Sequence, residues 1–363
     1  MLSSELKNRL WVSTIVLLLS LLSVEVAARI IVSWAVPEQS ASRGFDHKYY
    51  LARAPFERDR RTVLILGDSL ANMGIYSQLL RTRLSQAGIP VSVRNLASSR
   101  NTPDMNIALL QSALKAGNHP ALVIVNINMA VFNGYYIHHR EQTPEPALAA
   151  SYLGRCELAE PTDFAEKTRC FFEKHLYFIR FRGFFKGQFR TLDRTLFGVE
   201  KRLSKNPKDF VQDEAFQEGW SPSFGMKTEE EFLAKNQFNT DNLAAFRKTQ
   251  GPKFTWEPRP FLKFYTFCRK HHIPLVMVLL PVHPISEQYF VKAGLVSPEA
   301  NYAREFKRWA DNTNSWYLDY YQLDSDSTHF YNTSHLNVLG AVSVTEHLAK
   351  DIVPILKKVE SKP

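Results

Sequence analysis

The sequence predicts an open α/β domain built on a parallel sheet, broken by a long insertion and preceded by one membrane-spanning helix. Three observations predict it. Short β-branched runs alternate with stretches of helical spacing, that alternation lapses over residues 135–257 and then resumes, and the N-terminus carries a long apolar run behind basic residues. With 363 residues, 45% hydrophobic and 22% charged, the chain has apolar surface for one large domain carrying an insertion. The same composition excludes disordered, collagen-like and disulfide-scaffold classes.

Residues 11–24 contain no charge, and apolar character resumes through 27–36 after Glu25. Lys7 and Arg9 stand before this run, the arrangement that keeps the N-terminal tip in the cytoplasm while the rest crosses the bilayer. Residues 1–36 therefore read as a cytoplasmic tip and signal anchor, with the main domain extracytoplasmic, either periplasmic or at the cell surface. Val26, Ala27 and Ala28 offer a cleavage site, but Ile30, Ile31, Val32 and Trp34 carry the apolar run past it, which suits a retained anchor better. A buried core helix with Glu25 and Arg29 paired at i, i+4 is the competing reading, and the basic flank speaks against it.

Lys and Arg total 45 against 36 Asp and Glu, a formal charge of +9, so an anionic partner is expected. Export removes nucleic acid from consideration and leaves membrane lipids and envelope polymers. It also places Cys156 and Cys170 in an oxidising compartment, where a disulfide between them is expected, while Cys268 reads as a buried thiol. The cysteines lack zinc-site spacing, and no Walker or dinucleotide glycine pattern occurs, so neither metal nor cofactor is expected.

Residues 37–60 are polar, with Pro37, Ser40, Ser42 and Gly44, and read as a stalk. The first half of the domain, 61–134, has strands at 62–66, 91–96 and 121–127 and helices at 75–86 and 104–116. Gly88 and Gly117 stop the two helices. The second half, 258–363, has helices at 260–271, 298–311 and 337–356 and strands at 273–280 and 316–319. There is no internal repeat.

Chemistry in an open parallel sheet belongs at the carboxyl ends of its strands. The first strand ends in Gly67-Asp68-Ser69-Leu70, which presents a serine hydroxyl at a helix start; by itself this is also ordinary turn and N-cap material. The second ends in Asn95-Leu96-Ala97-Ser98 and the third in Asn126-Ile127-Asn128, each also readable as strand-closing turns. Late in the chain His335 precedes the final helix, from which an imidazole reaches back to take the Ser69 proton; a helix start with a chance histidine is the alternative. His138-His139 and His271-His272 lack ligand-like spacing and read as surface or packing residues.

Together, Gly67-Asp68-Ser69-Leu70, Ala97, Asn128 and His335 resemble the blocks of the SGNH/GDSL hydrolase superfamily. The N-terminal membrane segment, His335-Leu336-Asn337 with Gly340 and Ala341, and Leu280-Pro281-Val282-His283-Pro284 are similar to its membrane-anchored DltD-like and alginate-acetylation-like members. The resemblance covers 61–135 and 260–355 and implies an SGNH-type, flavodoxin-like three-layer parallel sheet. It implies Ser69 as nucleophile, His335 as base, and the Ser69 amide, the Ala97 amide and the Asn128 side chain as oxyanion donors. Asp68, His283 and Asp326 would stand around them. It further implies an acyl donor and an envelope glycan as substrates, acetyl as the acyl group, and a membrane-bound O-acyltransferase as partner. Three departures stand out. Ala97 replaces a glycine, Asn128 lacks its usual neighbours, and Asn332 stands where an aspartate orients the histidine. Asp324 or Asp326 from the preceding loop is one alternative orienting acid, and the other reading is loss of catalysis, leaving a protein that binds polymer or scaffolds an acyltransferase.

The insertion is aromatic and basic. Between 174 and 202 it carries eight Lys and Arg against Asp193 and Glu200, interleaved with seven aromatic residues. Such a stretch reads equally as a segment lying on an anionic membrane or as a helical lid with solvated charges.

Overall fold

Five short apolar runs become the strands of one parallel sheet, and the helices between them cover both faces. The computed structural model describes residues 4–34, 45–57, 59–99, 101–128, 130–134, 156, 163–180, 256–283, 302–313, 315–324, 326–332 and 334–360. In chain order the elements are α1 (Ser4–Trp34), α2 (Phe45–Arg53), β1 (Arg61–Leu66), α3 (Ser69–Gly74), α4 (Ser77–Gln86), β2 (Val91–Asn95), α5 (Pro103–Lys115) and β3 (Leu122–Ile127). A 3-10 turn, Ala130–Phe132, follows. After it come α6 (Phe164–His175), α7 (Tyr177–Arg180), α8 (Arg259–Lys270), β4 (Leu275–Leu279), α9 (Tyr302–Thr313), β5 (Trp316–Asp319), a second 3-10 turn at Ser327–His329, and α10 (Val338–Glu360).

The chain divides into two compact units, residues 1–47 with 146–203 and residues 48–145 with 204–363. The second holds the sheet, in the order β2-β1-β3-β4-β5 with every pairing parallel. That is the flavodoxin-like order, in which the chain reverses direction across the sheet between β1 and β3 and opens a crevice at their carboxyl ends. Val63, Ile65, Val91, Val93, Ile124, Val276 and Val278 face one side, in a single apolar cluster with Leu80 and Leu84 of α4 and Val344, Leu348 and Ile352 of α10. The alternate residues, among them Leu64, Leu66, Val123, Val125 and Met277, are equally buried and must face the other side. There α5 and α8 pack together and bury Leu109, Leu110, Phe261 and Phe264. The result is three layers.

The first unit contains α1, predominantly apolar from Trp11 to Ile31 with Glu25 and Arg29 its charged residues there, and exposed over most of that length, so it is long and apolar enough to cross a membrane. Cys156 and Cys170 form the expected disulfide, with Cα atoms 5.5 Å apart. Cys268, in the second unit, is a buried thiol that burial pushes up to about 12.

One expectation needs correction. Residues 45–53, read as part of a stalk, form α2, with Lys48, Tyr49, Leu51 and Ala52 buried. The glycine and serines before it suggested extended chain, but they precede the helix rather than interrupt it. The helix expected over 75–86 is α4, Ser77–Gln86, and the short helix α3, Ser69–Gly74, which the sequence reading did not give, precedes it, with Ile75 in extended conformation between them. The helix expected over 298–311 is seen over Tyr302–Thr313, with 298–301 outside the described residues. The stretch 181–202 read as membrane-facing or lid lies outside the described residues, as do His138 and His139.

Candidate active site

β1 delivers Ser69 to the crevice through a turn that only this local sequence permits. Gly67 has φ of +126°, and a Cβ there would meet Asn126 Oδ1 at 1.7 Å, so both the conformation and the space require glycine. The side chain that takes that space holds the turn. Asn126 Oδ1 accepts the Asp68 amide at 2.9 Å, its Nδ2 donates to Asp68 Oδ1 at 3.0 Å, and the Gly67 amide donates to Asn106 Oδ1 at 3.2 Å. Asp68 is the N-cap of α3, its Oδ1 accepting the Leu70 amide at 2.9 Å, which leaves Ser69 as the first helical residue.

The other reacting group comes from the segment before α10. Phe330 and Leu336 bridge as antiparallel strands, with Leu336 in the core, and the Tyr331 amide donates to the His335 carbonyl at 2.8 Å. Asn337 accepts the amides of Leu339 and Gly340 at the helix start and donates to the Thr328 carbonyl at 2.6 Å. A Cβ on Gly340 would fall 2.4 Å from the His329 carbonyl oxygen, so this glycine lets the helix start sit against the preceding turn. The His-Leu-Asn-x-x-Gly run is thus a device for fixing the imidazole.

His335 Nε2 lies 2.7 Å from Ser69 Oγ. On its other side Nδ1 lies 2.9 Å from Asn332 Oδ1. That oxygen also accepts the backbone amides of Ser334 at 3.0 Å and His335 at 2.9 Å, which an amino group could not do. The Asn332 orientation is therefore fixed, Nδ1 carries the proton, and Nε2 is the acceptor that faces the serine. Burial holds the His335 pKa below its ordinary value of 6.5, opposed in part by the negative charge of Asp68. The ring is kept neutral, as a base must be.

Asn128 reaches the same corner, its Nδ2 donating to Asp68 Oδ2 at 2.5 Å while its Oδ1 accepts the Val131 amide. Ala97 does not match its expected part. It is fully buried, and its amide donates to Asn95 Oδ1 at 3.0 Å, while the Ser98 amide donates to the Gly67 carbonyl. An oxyanion at Ala97 would have to displace a bond made two residues away in the chain. Asp324 and Asp326 do not replace Asn332 either. Asp324 Oδ2 lies 2.7 Å from His329 Nδ1, and Asp326 binds Thr328 through its hydroxyl and amide, which holds the Asp326 carboxyl below the usual range. His283 is buried edge-on against the Phe330 ring, 5.2 Å between centroids.

The sequence reading missed the buried polar network beneath the turn. Asn101 Nδ2 donates to Asn106 Oδ1 at 2.7 Å, and Asn95 Nδ2 donates to the Ala71 carbonyl of α3 at 3.1 Å. Lys48 of α2 is buried, with Nζ 2.9 Å from Asn72 Oδ1 and 2.8 Å from the Asn95 carbonyl. Burial lowers its pKa to about 7. The signal available was asparagine recurring at buried positions at or after the strand ends. A cavity of about 490 Å³ lies at the opposite edge of the sheet, where β4 and β5 begin, and takes no part in this arrangement. Among the described residues no cluster of His, Cys, Asp and Glu would hold a metal ion.

Strand order and this corner define the class: a flavodoxin-like α/β protein with a serine and histidine in contact at its switch point. No family model and no curated protein matches the chain. Among solved structures it is similar to TesA, at 12% identity and a TM-score of 0.36 over 82% of this chain and 99% of that one. It is also similar to an acylhydrolase from Bacteroides fragilis, at 9% and 0.36 over 85% and 95%. A third is a GDSL-like lipase from Bacteroides thetaiotaomicron, at 8% and 0.35 over 87% and 99%. The fold is defined by strand order and register rather than by these likenesses.

Proposed function

We propose that the protein is an SGNH-type esterase or O-acyltransferase, acting outside the cytoplasm on an acyl group, acetyl by preference, of an envelope glycan, with α1 as its membrane anchor. The observation that carries this reading is the line of contacts from Asn332 Oδ1 through His335 to Ser69 Oγ. In this mechanism Nε2 takes the Ser69 proton as Oγ bonds to the acyl carbon. The resulting imidazolium then gives that proton to the departing oxygen, leaving an acyl-serine. Water releases the acyl group in an esterase; a glycan hydroxyl accepts it in a transferase. The +9 charge suits an anionic polymer or lipid surface, and a membrane-bound O-acyltransferase is the partner that the envelope role implies.

The oxyanion donors in this reading are the Ser69 amide, which the Asp68 cap passes over for that of Leu70, and the Asn128 side chain. With the Ala97 amide engaged by Asn95, this reading has two oxyanion donors rather than three. One missing donor costs about 10²–10³ in turnover. That engaged amide favours a second reading, a catalytically silent protein that binds polymer or scaffolds an acyltransferase. A fluorophosphonate probe decides between them: covalent labelling of the full chain, lost in Ser69→Ala, is the expected result. Equal labelling of wild type and Ser69→Ala would leave the second reading standing.

A further inference from the structure

Helix α6 is inside out for a protein surrounded by water. Phe164, Phe171 and Phe172 recur at i, i+7 and i+8, so they share one face about 100° wide. They are 85%, 59% and 44% exposed. On the opposite side Glu173 is 1% exposed, its carboxylate accepting Arg169 Nε at 3.2 Å. A helix on an aqueous surface turns its apolar stripe inward; α6 exposes its phenylalanines and buries Glu173, while Glu166, also opposite the aromatic face, stays exposed. Lys167 and Lys174, both exposed, flank the aromatic face at the helical angle next to Phe171.

The end of α6 is tied to the apolar helix within the same unit. Arg29 donates to the His175 carbonyl at 2.7 Å and lies over the Tyr177 ring, 4.7 Å from its centroid. Glu25 accepts Arg29 Nε at 2.8 Å and the amides of Tyr177 and Phe178 at 2.9 and 3.2 Å. The junction of α6 and α7 therefore lies beside residues 25–29. The apolar span ends at Ile31, so at 1.5 Å per residue the junction sits about 3–9 Å inside that end. Amphipathic helices that lie in a membrane interface bury their apolar face about 5–10 Å deep.

We propose that α6 and α7 are a second membrane contact, with Phe164, Phe171, Phe172 and Phe178 in the acyl boundary of the extracytoplasmic leaflet and Lys167 and Lys174 on anionic headgroups. The partner is lipid. The assignment also accounts for Glu25, a carboxylate within an apolar span that is satisfied by one guanidinium and two backbone donors rather than by water. It rests on the reading of α1 as a retained anchor.

The test uses the full chain in nanodiscs of phosphatidylethanolamine and phosphatidylglycerol, with the photocrosslinker p-benzoylphenylalanine placed singly at Phe171, Phe172, Glu166 or Leu18. Phe171 and Phe172 are expected to give about tenfold more lipid adduct than Glu166, as a residue in the acyl boundary does against one in water. Adducts to protein alone from both phenylalanine positions, or lipid adduct no greater than from Glu166, would overturn the proposal while Leu18 still marks the lipid. Absence of lipid adduct from Leu18 would overturn the anchor reading and this proposal together. Phe171→Ser with Phe172→Ser provides an independent readout: the change should lower the detergent needed to keep the full chain dispersed, and no change counts against the lipid contact.

Discussion

Asn332 shows how one atom can keep a relay in register without a carboxylate. Replacing the orienting aspartate by an amide costs a serine protease about 10⁴ in turnover, chiefly through the wrong histidine tautomer. Here two backbone amides pin Oδ1 toward Nδ1, so the tautomer is preserved and only the stabilising charge on the imidazolium is missing. Asn332→Asp is therefore expected to raise hydrolysis of an aryl acetate at least tenfold, about 1.4 kcal/mol of barrier, with Ser69→Ala at background in either context. Equal rates for wild type, Asn332→Asp and Ser69→Ala would remove the enzyme. Asp68 supplies the nearest negative charge and raises the His335 pKa against the lowering by burial. The competent base is the neutral ring, so activity should persist below pH 6.5 and fall only as the ring protonates at its depressed value. Asp68→Asn should move that acid limb to still lower pH; a limb that stays in place in a kcat/KM profile would show that Asp68 does not act on the imidazole.

At the scale of elements, the strands and most helices were legible because each is a short apolar run or an amphipathic stretch closed by glycine or a cap. The residues of the Ser69 and His335 segments were legible by resemblance, and the reason for their glycines was not, since neither the 1.7 Å approach at Gly67 nor the 2.4 Å approach at Gly340 leaves a trace in periodicity. Helix α2 was hidden for a different reason: its buried face includes a lysine, which local pattern assigns to solvent. Lys48 joins α2 to α3 through Asn72 and to the end of β2 through the Asn95 carbonyl. A neutral amine keeps two protons for these two acceptors, so the contacts survive the pKa of about 7. The unfolded chain holds the lysine proton up to its ordinary value of 10.5. Between the two values the unfolded state binds more proton, and stability rises as pH rises from 7 toward 10.5. In melting curves the difference between wild type and Lys48→Met should shift in favour of wild type from pH 7 to pH 9. Parallel curves would place the amine in water.

For the whole molecule, the question is whether its N-terminal helix belongs to the mature protein. A secretory signal is discarded, so its side chains have no reason to complete the fold of what remains. Glu25 does complete it, accepting the amides that open α7 and the guanidinium of Arg29. Cleavage after Ala28 would strip the carboxylate from those donors while leaving Arg29 beside His175 and Tyr177. The disulfide between Cys156 and Cys170 lies in the same unit, closes a loop of 14 residues worth about 3 kcal/mol in the chain-entropy account, and forms only where the compartment is oxidising. On the anchor reading, the contacts of Glu25 call for a retained helix and the disulfide calls for an oxidising compartment, and both lie in one unit. Peptide mapping of the protein from membranes should recover the residues before Arg29, with Cys156 and Cys170 linked and one thiol, Cys268, alkylated only after denaturation. An N-terminus near Arg29 would refute the anchor, and three alkylated thiols would place this unit on the cytoplasmic side.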